Sequence, residues 1–246
     1  MKVYYDLHIH SVLSACADVL QTPNNILNMS MLKGLNMIAI CDHNGAKQYE
    51  TIELLKDSFD FTIIYGMEIT VQEGFHVLAY FETMKQVMEL DKIIDRGLDK
   101  KIKEVKGQVL GTDLVQVVCD EYDEEKYQIS YYLNQNLSYT FSDIIKIVHG
   151  LNGLVIPAHI ERKGTGILDY IEDFSAYDID GVEIYNKANE NELREKYPYL
   201  KKYKSIYNSD AHDIDRINER VNFLDLDDNS YAGFKKWLTL KEYNEE

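Results

Sequence analysis

The chain has 246 residues, of which 45% are hydrophobic, so it can bury one sizeable core. Its formal net charge of −16 argues against a surface that grips nucleic acid through the phosphate backbone, so no long nucleic acid is expected as a partner. There is no apolar leader and no run of about 18 apolar residues, and the three cysteines lack a C-x-x-C pair. These features predict a cytoplasmic protein that does not contact a membrane.

Short apolar runs recur along the chain, and polar residues stand at one end of each. The runs cover residues 3–7, 37–41, 61–65, 77–80, 154–156, 181–185 and 205–207. Such runs are typical of buried parallel strands. Helix-like segments lie between them, for example residues 22–33, which begin with a Thr-Pro pair and are stopped by Gly34. The alternation predicts an α/β fold closed as a barrel, in which reactive groups gather at the C-terminal ends of the strands.

One segment breaks the alternation. Residues 108–133 are rich in β-branched and aromatic side chains on both sides of an acidic turn at residues 123–125. We interpret the segment as a β-hairpin inserted into a single barrel domain that spans residues 1–246, and as either a flap or an oligomer contact. The oligomeric state itself cannot be inferred from the sequence.

The histidines fall in a pattern. Six of the seven stand at or beside the end of a predicted strand: His8, His10, His43, His76, His159 and His212. One histidine so placed is more often a hydrogen-bonded core residue than a ligand, but six together would each need a buried partner. The seventh, His149, ends a predicted helix, where its charge favours the helix dipole, and we do not expect it to bind metal.

The pair His8 and His10 is separated by one residue. Residues i and i+2 of a strand face the same side, so both imidazoles can reach one ion. Asp6 precedes the pair, and Asp18 follows it in the next loop. This combination of imidazoles and carboxylates indicates a candidate metal site.

The same combination recurs later in the chain. Asp42 and His43 follow the second predicted strand, and Asp210 and His212 follow the last one. Glu68 follows the third strand, and its two oxygens could bridge two ions. Imidazole and carboxylate ligands together suit zinc, manganese or iron better than calcium or magnesium alone.

Six motifs are similar, in the same order, to those of the PHP (polymerase and histidinol phosphatase) superfamily. They are D-L-H-I-H-S, C-D-H-N, G-M-E-I-T, F-H-V-L, P-A-H-I and N-S-D-A-H. They run from Asp6 to His212, so the resemblance covers most of the chain, and it is closest to the stand-alone phosphoesterases. It implies a distorted seven-stranded (β/α) TIM-like barrel that holds two to three divalent ions.

The resemblance also implies a ligand set for each ion. One ion would be held by His8, His10, Glu68 and Asp210, a second by His43 and His212, and a third by Glu68, His76 and His159. The loop ligand after H-x-H is a histidine in some members and an aspartate in others, so Asp18 is the candidate here and Cys16 the alternative. Asp6 and Asp42 would orient neighbouring ligands. For Glu183 a position facing the barrel interior and a structural role both remain open.

The predicted activity is hydrolysis of a phosphoric ester. A water that bridges two ions becomes hydroxide near neutral pH, with Glu68 as the bridging ligand and Asp210 or a histidine such as His212 able to accept or return the proton. Arg162 and Lys163 would either contact a substrate phosphate or be a solvated pair of charges.

We expect a small phosphorylated metabolite, a nucleotide or an oligonucleotide end as the substrate. Two alternatives remain open: another metal-dependent hydrolase, such as an amidohydrolase, and a non-catalytic module that kept the fold but lost its metals.

Overall fold

The computed structural model describes residues 1–240, which contain six α-helices and twelve strands. The strands are β1 (Lys2–Ile9), β2 (Met37–Ile40), β3 (Thr62–Thr70), β4 (His76–Phe81), β5 (Glu104–Val105), β6 (Gln108–Val109), β7 (Val117–Cys119), β8 (Glu125–Gln128), β9 (Leu154–Pro157), β10 (Val182–Glu183), β11 (Ser205–Ile206) and β12 (Phe223–Asp225). The helices are α1 (Pro23–Leu32), α2 (Tyr49–Leu55), α3 (Met84–Gly97), α4 (Phe141–Gly150), α5 (Glu190–Lys196) and α6 (Tyr231–Thr239). Within residues 1–240, none of these helices has the length and apolar character needed to cross a bilayer.

The main sheet has six strands in the order β12-β1-β2-β3-β4-β9. Strands β1, β2 and β3 are parallel, whereas β4 is antiparallel to both β3 and β9, and β12 is antiparallel to β1. Strands β10 and β11 form a separate parallel pair. The α/β class is as predicted, but the seven-stranded TIM-like barrel is wrong: the structure has a mixed six-stranded sheet beside a parallel pair of strands.

The short connection between β3 and β4 explains this difference. Only residues 71–75 link the two strands, and Gly74 turns the chain there with a φ of +108°. A parallel crossover needs a dozen or more residues, so the two strands can pair only as an antiparallel hairpin. As a consequence, His76 lies at the beginning of β4 but on the same side of the sheet as the C-terminal end of β3.

Isolated hydrogen bonds place the parallel pair β10–β11 beside both β9 and β1. The amide of Asp180 donates to the carbonyl of Val155 at 3.0 Å, which places the approach to β10 beside β9. After β11, Ala211 forms a single parallel bridge with Ile9 of β1. The C-terminal ends of β1, β2, β3, β9, β10 and β11 therefore lie on one side of the molecule.

The sheet is buried on both faces. Along β2, Ile38 and Ile40 belong to one apolar cluster and Met37 and Ala39 to another, as the alternation of a strand requires. The first cluster packs beneath helices α1 to α4. The second lies on the other face of the sheet and includes Phe234 of α6.

Strands β7 and β8 form a hairpin within residues 108–133. At its turn Asp123 has a φ of +62°, and its carboxylate accepts hydrogen bonds from the Thr22 hydroxyl at 2.6 Å and the Asn24 amide at 3.0 Å. Since Asn24 lies in the first turn of α1, the hairpin caps that helix. The predicted organisation, one domain with this segment inserted, stays a prediction.

Candidate metal centre

Glu68 on β3 is fully buried at the side of the sheet where the strand ends meet. Five histidine rings approach its two carboxylate oxygens. The nearest distances are 2.8 Å to Nδ1 of His76, 2.8 Å to Nδ1 of His43, 3.0 Å to Nε2 of His159, and 3.4 Å to Nε2 of both His8 and His10. One carboxylate thus contacts imidazoles that come from β1 and β4 and from the ends of β2 and β9.

The charges in this cluster follow from burial and proximity. Burial raises the pKa of Glu68, but His76, His8 and His43 together hold it well below its usual value, so the carboxylate is ionised. Burial lowers the pKa of His10, and the neighbouring His212 and His43 lower it further. Burial also lowers the pKa of His43. Rings with a lowered pKa are neutral near pH 7, which is the form that binds metal.

Asp210 brings a second carboxylate to the pair on β1. Its Oδ1 lies 3.1 Å from Nε2 of His10 and 3.4 Å from Nε2 of His8, and these two ring nitrogens are 3.1 Å apart. The ring of His212 stacks on that of His10, with centroids 4.1 Å apart. The two predicted same-face pairs therefore meet, although about 200 residues separate them in sequence.

Three groups of side chains within residues 1–240 could each hold a metal ion, with ligand atoms that lie within 4.8 Å of one another. They are His8 with His10 and Asp210, His10 with His43 and His212, and His43 with Glu68 and His76. His159 contacts Glu68 but belongs to none of these groups, which differs from the third predicted set. The structure brings all the predicted histidines, Glu68 and Asp210 together, while their roles as ligands stay predictions.

Two unsatisfied atoms test whether this arrangement suits an ion. Nδ1 of His43 and Oε2 of Glu68 are buried and lie 2.8 Å apart, yet neither has a hydrogen-bond partner in the described part of the chain. Buried polar atoms are normally hydrogen-bonded. These two atoms are buried and close together without a hydrogen bond, so they need another partner. Imidazole nitrogen and carboxylate oxygen are suitable ligands for a divalent transition metal. The residues fit such an ion.

Asp42 supports His10 through a serine. Its carboxylate accepts hydrogen bonds from the Ser11 amide at 2.7 Å, the Ser11 hydroxyl at 2.6 Å and the Ser14 hydroxyl at 2.7 Å. The Ser14 hydroxyl also lies 3.0 Å from Nδ1 of His10. Asp42 therefore orients the ring indirectly, which fixes its direction as partners of metal ligands commonly do. Ser14 was not singled out from the sequence, since a serine in a loop carries no pattern of its own.

Asp6 has a different role from the one expected. Burial raises its pKa to about 6, and its carboxylate accepts from the backbone amides of Ser209 at 3.1 Å and Asn218 at 2.8 Å. It contacts the backbone amide of His8, at 3.5 Å, rather than the ring. Asp6 thus holds the loop that carries Asp210.

Glu183 at the end of β10 is the functional residue that the sequence left undecided. Its oxygens lie 3.1 and 3.2 Å from Nδ1 of His8, and it accepts from the His159 amide at 2.8 Å and from Nδ2 of Asn208 at 2.7 Å. It fixes the ring of His8, so that Nε2 points to the cluster. The signal that favours it is an acid at the end of an apolar run, on the same side as the ligands.

Backbone conformation is unusual at three positions beside the cluster. Asn44, His159 and Asp210 have φ values of 47°, 30° and 51°, in the left-handed region that residues other than glycine rarely adopt. Such conformations persist only where surrounding contacts impose them, and they concentrate at functional sites. At Asn44 the side chain supplies these contacts, donating to the carbonyl of Leu133 at 2.7 Å and accepting from the amide of Thr70 at 3.0 Å.

The predicted loop ligand lies outside the cluster. Asp18 is exposed, and its carboxylate accepts from the amide of Leu20 at 2.8 Å, while its own amide donates to the carbonyl of His212 at 2.8 Å. The alternative, Cys16, is also exposed. The loop thus touches the His212 segment through its backbone, and neither side chain belongs to the three groups. Ligation by Asp18 stays a prediction.

The cations after His159 lie at the edge of the cluster. The Arg162 guanidinium donates to Oδ2 of Asp210 and lies 5.3 Å from the centre of the Tyr185 ring. Lys163 is exposed and has no ion pair within residues 1–240. His149 is elsewhere, at the end of α4, where Nε2 lies 3.0 Å from Oδ2 of Asp180.

No protein-family profile matches the chain. A protein assigned as a metal-dependent phosphoesterase from Bifidobacterium adolescentis has the same fold, with a TM-score of 0.61 over 95% of both chains and 16% sequence identity. The chain shares the fold of that protein. At the level of the fold, the resemblance seen in the motifs is confirmed.

Two nucleases are among the proteins that resemble this chain. The lesion-specific endonuclease Q of Pyrococcus furiosus has a TM-score of 0.69 at 19% identity over 97% of this chain, which spans only 56% of the endonuclease. The 5'-3' exoribonuclease of Haemophilus influenzae is 25% identical over 234 residues, covering 79% of this chain and 84% of the relative.

A second structure of endonuclease Q corrects one expectation. It is a complex with a 27-mer duplex that carries an abasic lesion at the active site, and it matches this chain with a TM-score of 0.65 at 20% identity. The expectation that long nucleic acid is excluded is therefore wrong for this fold. The net charge of −16 sums the whole chain, whereas a bound strand responds to the charges beside it.

Proposed function

We propose that this chain is a metal-dependent phosphoesterase that hydrolyses a phosphate ester of a nucleotide or of a nucleic-acid strand. The observation that carries the proposal is the single buried carboxylate of Glu68, whose two oxygens face five imidazoles. The resembling proteins named as a phosphoesterase, an endonuclease and an exoribonuclease support this reaction, because all three names describe cleavage of phosphoric esters.

Two to three divalent ions fit the proposal, and zinc, manganese and iron are the candidates that the ligand types favour. His8, His10 and Asp210 would hold one ion, and His43, Glu68 and His76 another. When bound, such ions lower the pKa of a coordinated water and neutralise charge on the phosphoryl oxygens. The three thiols are unpaired, which fits the cytoplasmic location that we propose.

The chain's own residues would then manage charge and protons. Glu68 is ionised and directs negative charge at the ring nitrogens around it. Nδ1 of His212 lies 2.9 Å from the carbonyl oxygen of Asp210, and 24% of the His212 side chain is exposed. The ring can therefore exchange a proton with solvent, and we propose that it accepts or returns the proton of the reaction.

Arg162 and Lys163 are the proposed contacts for the substrate phosphate. A guanidinium offers two parallel donors that match a phosphate, and the Arg162 side chain is 41% exposed beside Asp210. The uncommitted charge of Lys163 lies next to it in sequence. Together they would offset the acidic character of the chain at the mouth of the metal centre.

Metal removal and return test the proposal. The purified protein is treated with a chelator, and zinc, manganese and iron are then added back separately. Turnover is measured on a chromogenic phosphate ester and on a panel of nucleotides and oligonucleotides, together with the metal content of the protein. We expect two to three ions per chain and activity that returns only with metal. A protein that holds its ions but hydrolyses none of these esters would contradict the proposal and favour a non-catalytic module.

A further inference from the structure

Four cations lie over aromatic rings. Two of these pairs are in the segments that follow β9, β10 and β11, on the side of the metal centre, and two are at the start of β1, the end of that strand away from His8. They are Arg162 over Tyr185 at 5.3 Å, Lys187 over Tyr207 at 4.7 Å, Arg220 over Tyr4 at 4.3 Å and Lys2 over Phe223 at 4.1 Å. We call these eight residues the cation–aromatic track. Such pairs gain from the attraction between a cation and the negative face of a ring.

Hydrogen bonds and ring contacts connect three of the four pairs, and the chain itself connects the fourth. Tyr185 and Lys187 are both exposed in the segment that follows β10. The Lys187 ammonium donates to Oδ1 of Asn222 at 3.3 Å, and Asn222 donates in turn to the carbonyl of Tyr207 at 3.1 Å. Phe223 follows Asn222 directly and pairs with Tyr4 across β12 and β1, with ring centres 5.7 Å apart. The track therefore runs from the end of β10 to the β1–β12 edge of the sheet.

The inner end of the track meets the metal centre. Arg162 donates to Asp210, and Tyr185 stands two residues after Glu183, which fixes His8. Tyr185 is 54% exposed, although large aromatic side chains are usually buried. The Glu161 carboxylate accepts from its amide at 3.0 Å, so the backbone that presents this ring is held in place.

Two of the acids beside the track accept hydrogen bonds from other parts of the chain. Glu161 also accepts from the amide of Asn186 at 2.8 Å. Glu190 accepts from the Tyr207 hydroxyl at 2.5 Å and from Arg194 at 2.9 Å. Arg162 is paired with Asp210, whereas Lys2, Lys187 and Arg220 form no ion pair within residues 1–240, although the net charge of the whole chain is −16. Asp225 lies opposite Lys2 in the β1–β12 pair.

We propose that the cation–aromatic track binds a single-stranded nucleic acid whose terminal or cleaved phosphate lies at the metal centre. The proposal rests on the proposed function, because it extends the same site outwards. Cations spaced along an exposed path can follow successive phosphates, and aromatic rings between them can stack with unpaired bases. In a duplex the bases stack on one another and their faces are not accessible, so the rings favour a single strand.

Two measurements test the track. In the first, fluorescence anisotropy follows binding of a dinucleotide, of a single strand of about 12 nucleotides, within the usual range of site sizes, and of the matching duplex. A chelator is present, so that binding is measured without hydrolysis. In the second, the dependence of kcat/KM on strand length is measured with the metal-loaded protein.

We expect the longer single strand to bind more tightly than the dinucleotide and the duplex. Tyr185→Leu should weaken its binding roughly five- to a hundredfold, the range for loss of one stacked base. Lys187→Ala should reduce the slope of log affinity against log salt by about 0.7, the value for one phosphate contact of a single strand. Both variants should also lose the advantage in kcat/KM that longer strands have.

Lys202→Ala is the matched control. Lys202 also lies over a tyrosine, Tyr203, at 4.8 Å, but it precedes β11 and so stands on the side of the pair away from the metal centre. This variant should bind the longer strand as the wild type does. Equal losses in Lys202→Ala and Lys187→Ala, or unchanged binding in both track variants, would overturn the proposal. Preference for the duplex would overturn it as well.

The chromogenic ester separates the two proposals. If the metal-loaded protein hydrolyses this ester but shows no gain with strand length, the track is wrong and the proposed function stands. If neither this ester nor any nucleotide or oligonucleotide is hydrolysed but the track variants still lose strand binding, the proposed function fails and the track stands as a binding surface alone.

Discussion

Carboxylates meet histidines at two places in this molecule, and the two places differ in the number of rings around one acid. Glu68 is fully buried and faces five imidazoles. Asp180 is partly exposed and faces His149 alone, and the same carboxylate oxygen accepts the amide of Val155 at 2.7 Å. A single proton shared between His149 and Asp180 is sufficient to pair these two groups. A single proton cannot pair Glu68 with five rings, so the arrangement around Glu68 indicates a site for cations.

The largest expected effect comes from neutralising the acid that faces many rings. We expect Glu68→Gln to lower turnover by more than about 100-fold, beyond the range for partners that only support a ligand. An amide cannot supply the field of a carboxylate to two cations. The measurement is kcat/KM on a chromogenic phosphate ester, with circular dichroism to establish that the fold is retained.

Glu104→Gln provides the control for Glu68→Gln. It makes the same chemical change at an exposed position on β5, and it should leave turnover unchanged. If Glu68→Gln retained more than about a tenth of wild-type turnover, a deficit below ~1.4 kcal/mol, Glu68 would not be central to the reaction.

Chelation should lower the stability of the protein by removing ions from the cluster around Glu68, whereas the His149–Asp180 pair should not respond to it. Ions that bind only the native state stabilise it by mass action, by about 2.7 kcal/mol when the metal concentration is 100 times Kd. We therefore expect the melting temperature of the metal-loaded protein to fall when a chelator is added. The same shift should be much smaller in His43→Ala, which removes a ring from two of the three groups. An equal shift in both proteins would show that the ions bind elsewhere.

The loop ligand gives a smaller expected effect. The Asp18 carboxylate accepts a hydrogen bond from the Leu20 amide and lies outside the three groups, so it can contribute less than a central ligand. We therefore expect Asp18→Ala to lower turnover by about tenfold, the lower end of the range for residues that support a metal site. Cys16→Ser should be nearly silent. Turnover and metal content of both variants are to be compared. A silent Asp18→Ala with a damaging Cys16→Ser would assign the ligand role to the thiolate and favour zinc.

The smallest expected effect comes from the pair formed by His149 and Asp180. The hydrogen bond with Asp180 raises the pKa of His149, so its contribution to stability is fully present below the ordinary histidine pKa and is lost as the pH rises through the folded value. We expect His149→Gln to destabilise the protein by about 1 kcal/mol or less at pH ~6, with a smaller difference at pH ~9. Thermal melts of both proteins across this range measure the effect, and a difference that grows with pH would contradict it.

Local patterns in the sequence were sufficient to find the histidines and acids that the structure brings together. His8 and His10 could be paired because strand geometry places them on one face, and His43, Asp210 and His212 because each follows an apolar run. Long-range partners could not be found in this way. Glu183 and His8 are 175 residues apart, and their contact depends on how β10 and β1 are placed.

The barrel prediction failed for a reason that the sequence did contain. A barrel requires these apolar runs to be parallel strands, but residues 71–75 are too short to carry a crossover between β3 and β4. The expectation about long nucleic acid failed differently. It used the charge of the whole chain, whereas the position of cations such as Arg162 and Lys187 depends on the fold.

Because β4 runs antiparallel to β3, the turn of residues 71–75 between them can tolerate few insertions or deletions. Side chains alternate along a strand, so lengthening or shortening the 71–75 turn by one residue would shift the pairing of β4 with β3 and turn His76 away from Glu68. Val77 would then face the cluster. The turn contributes no side chain to the three groups, yet its length is under the same constraint as a ligand. Insertions and deletions there should therefore be as damaging as loss of the histidine itself.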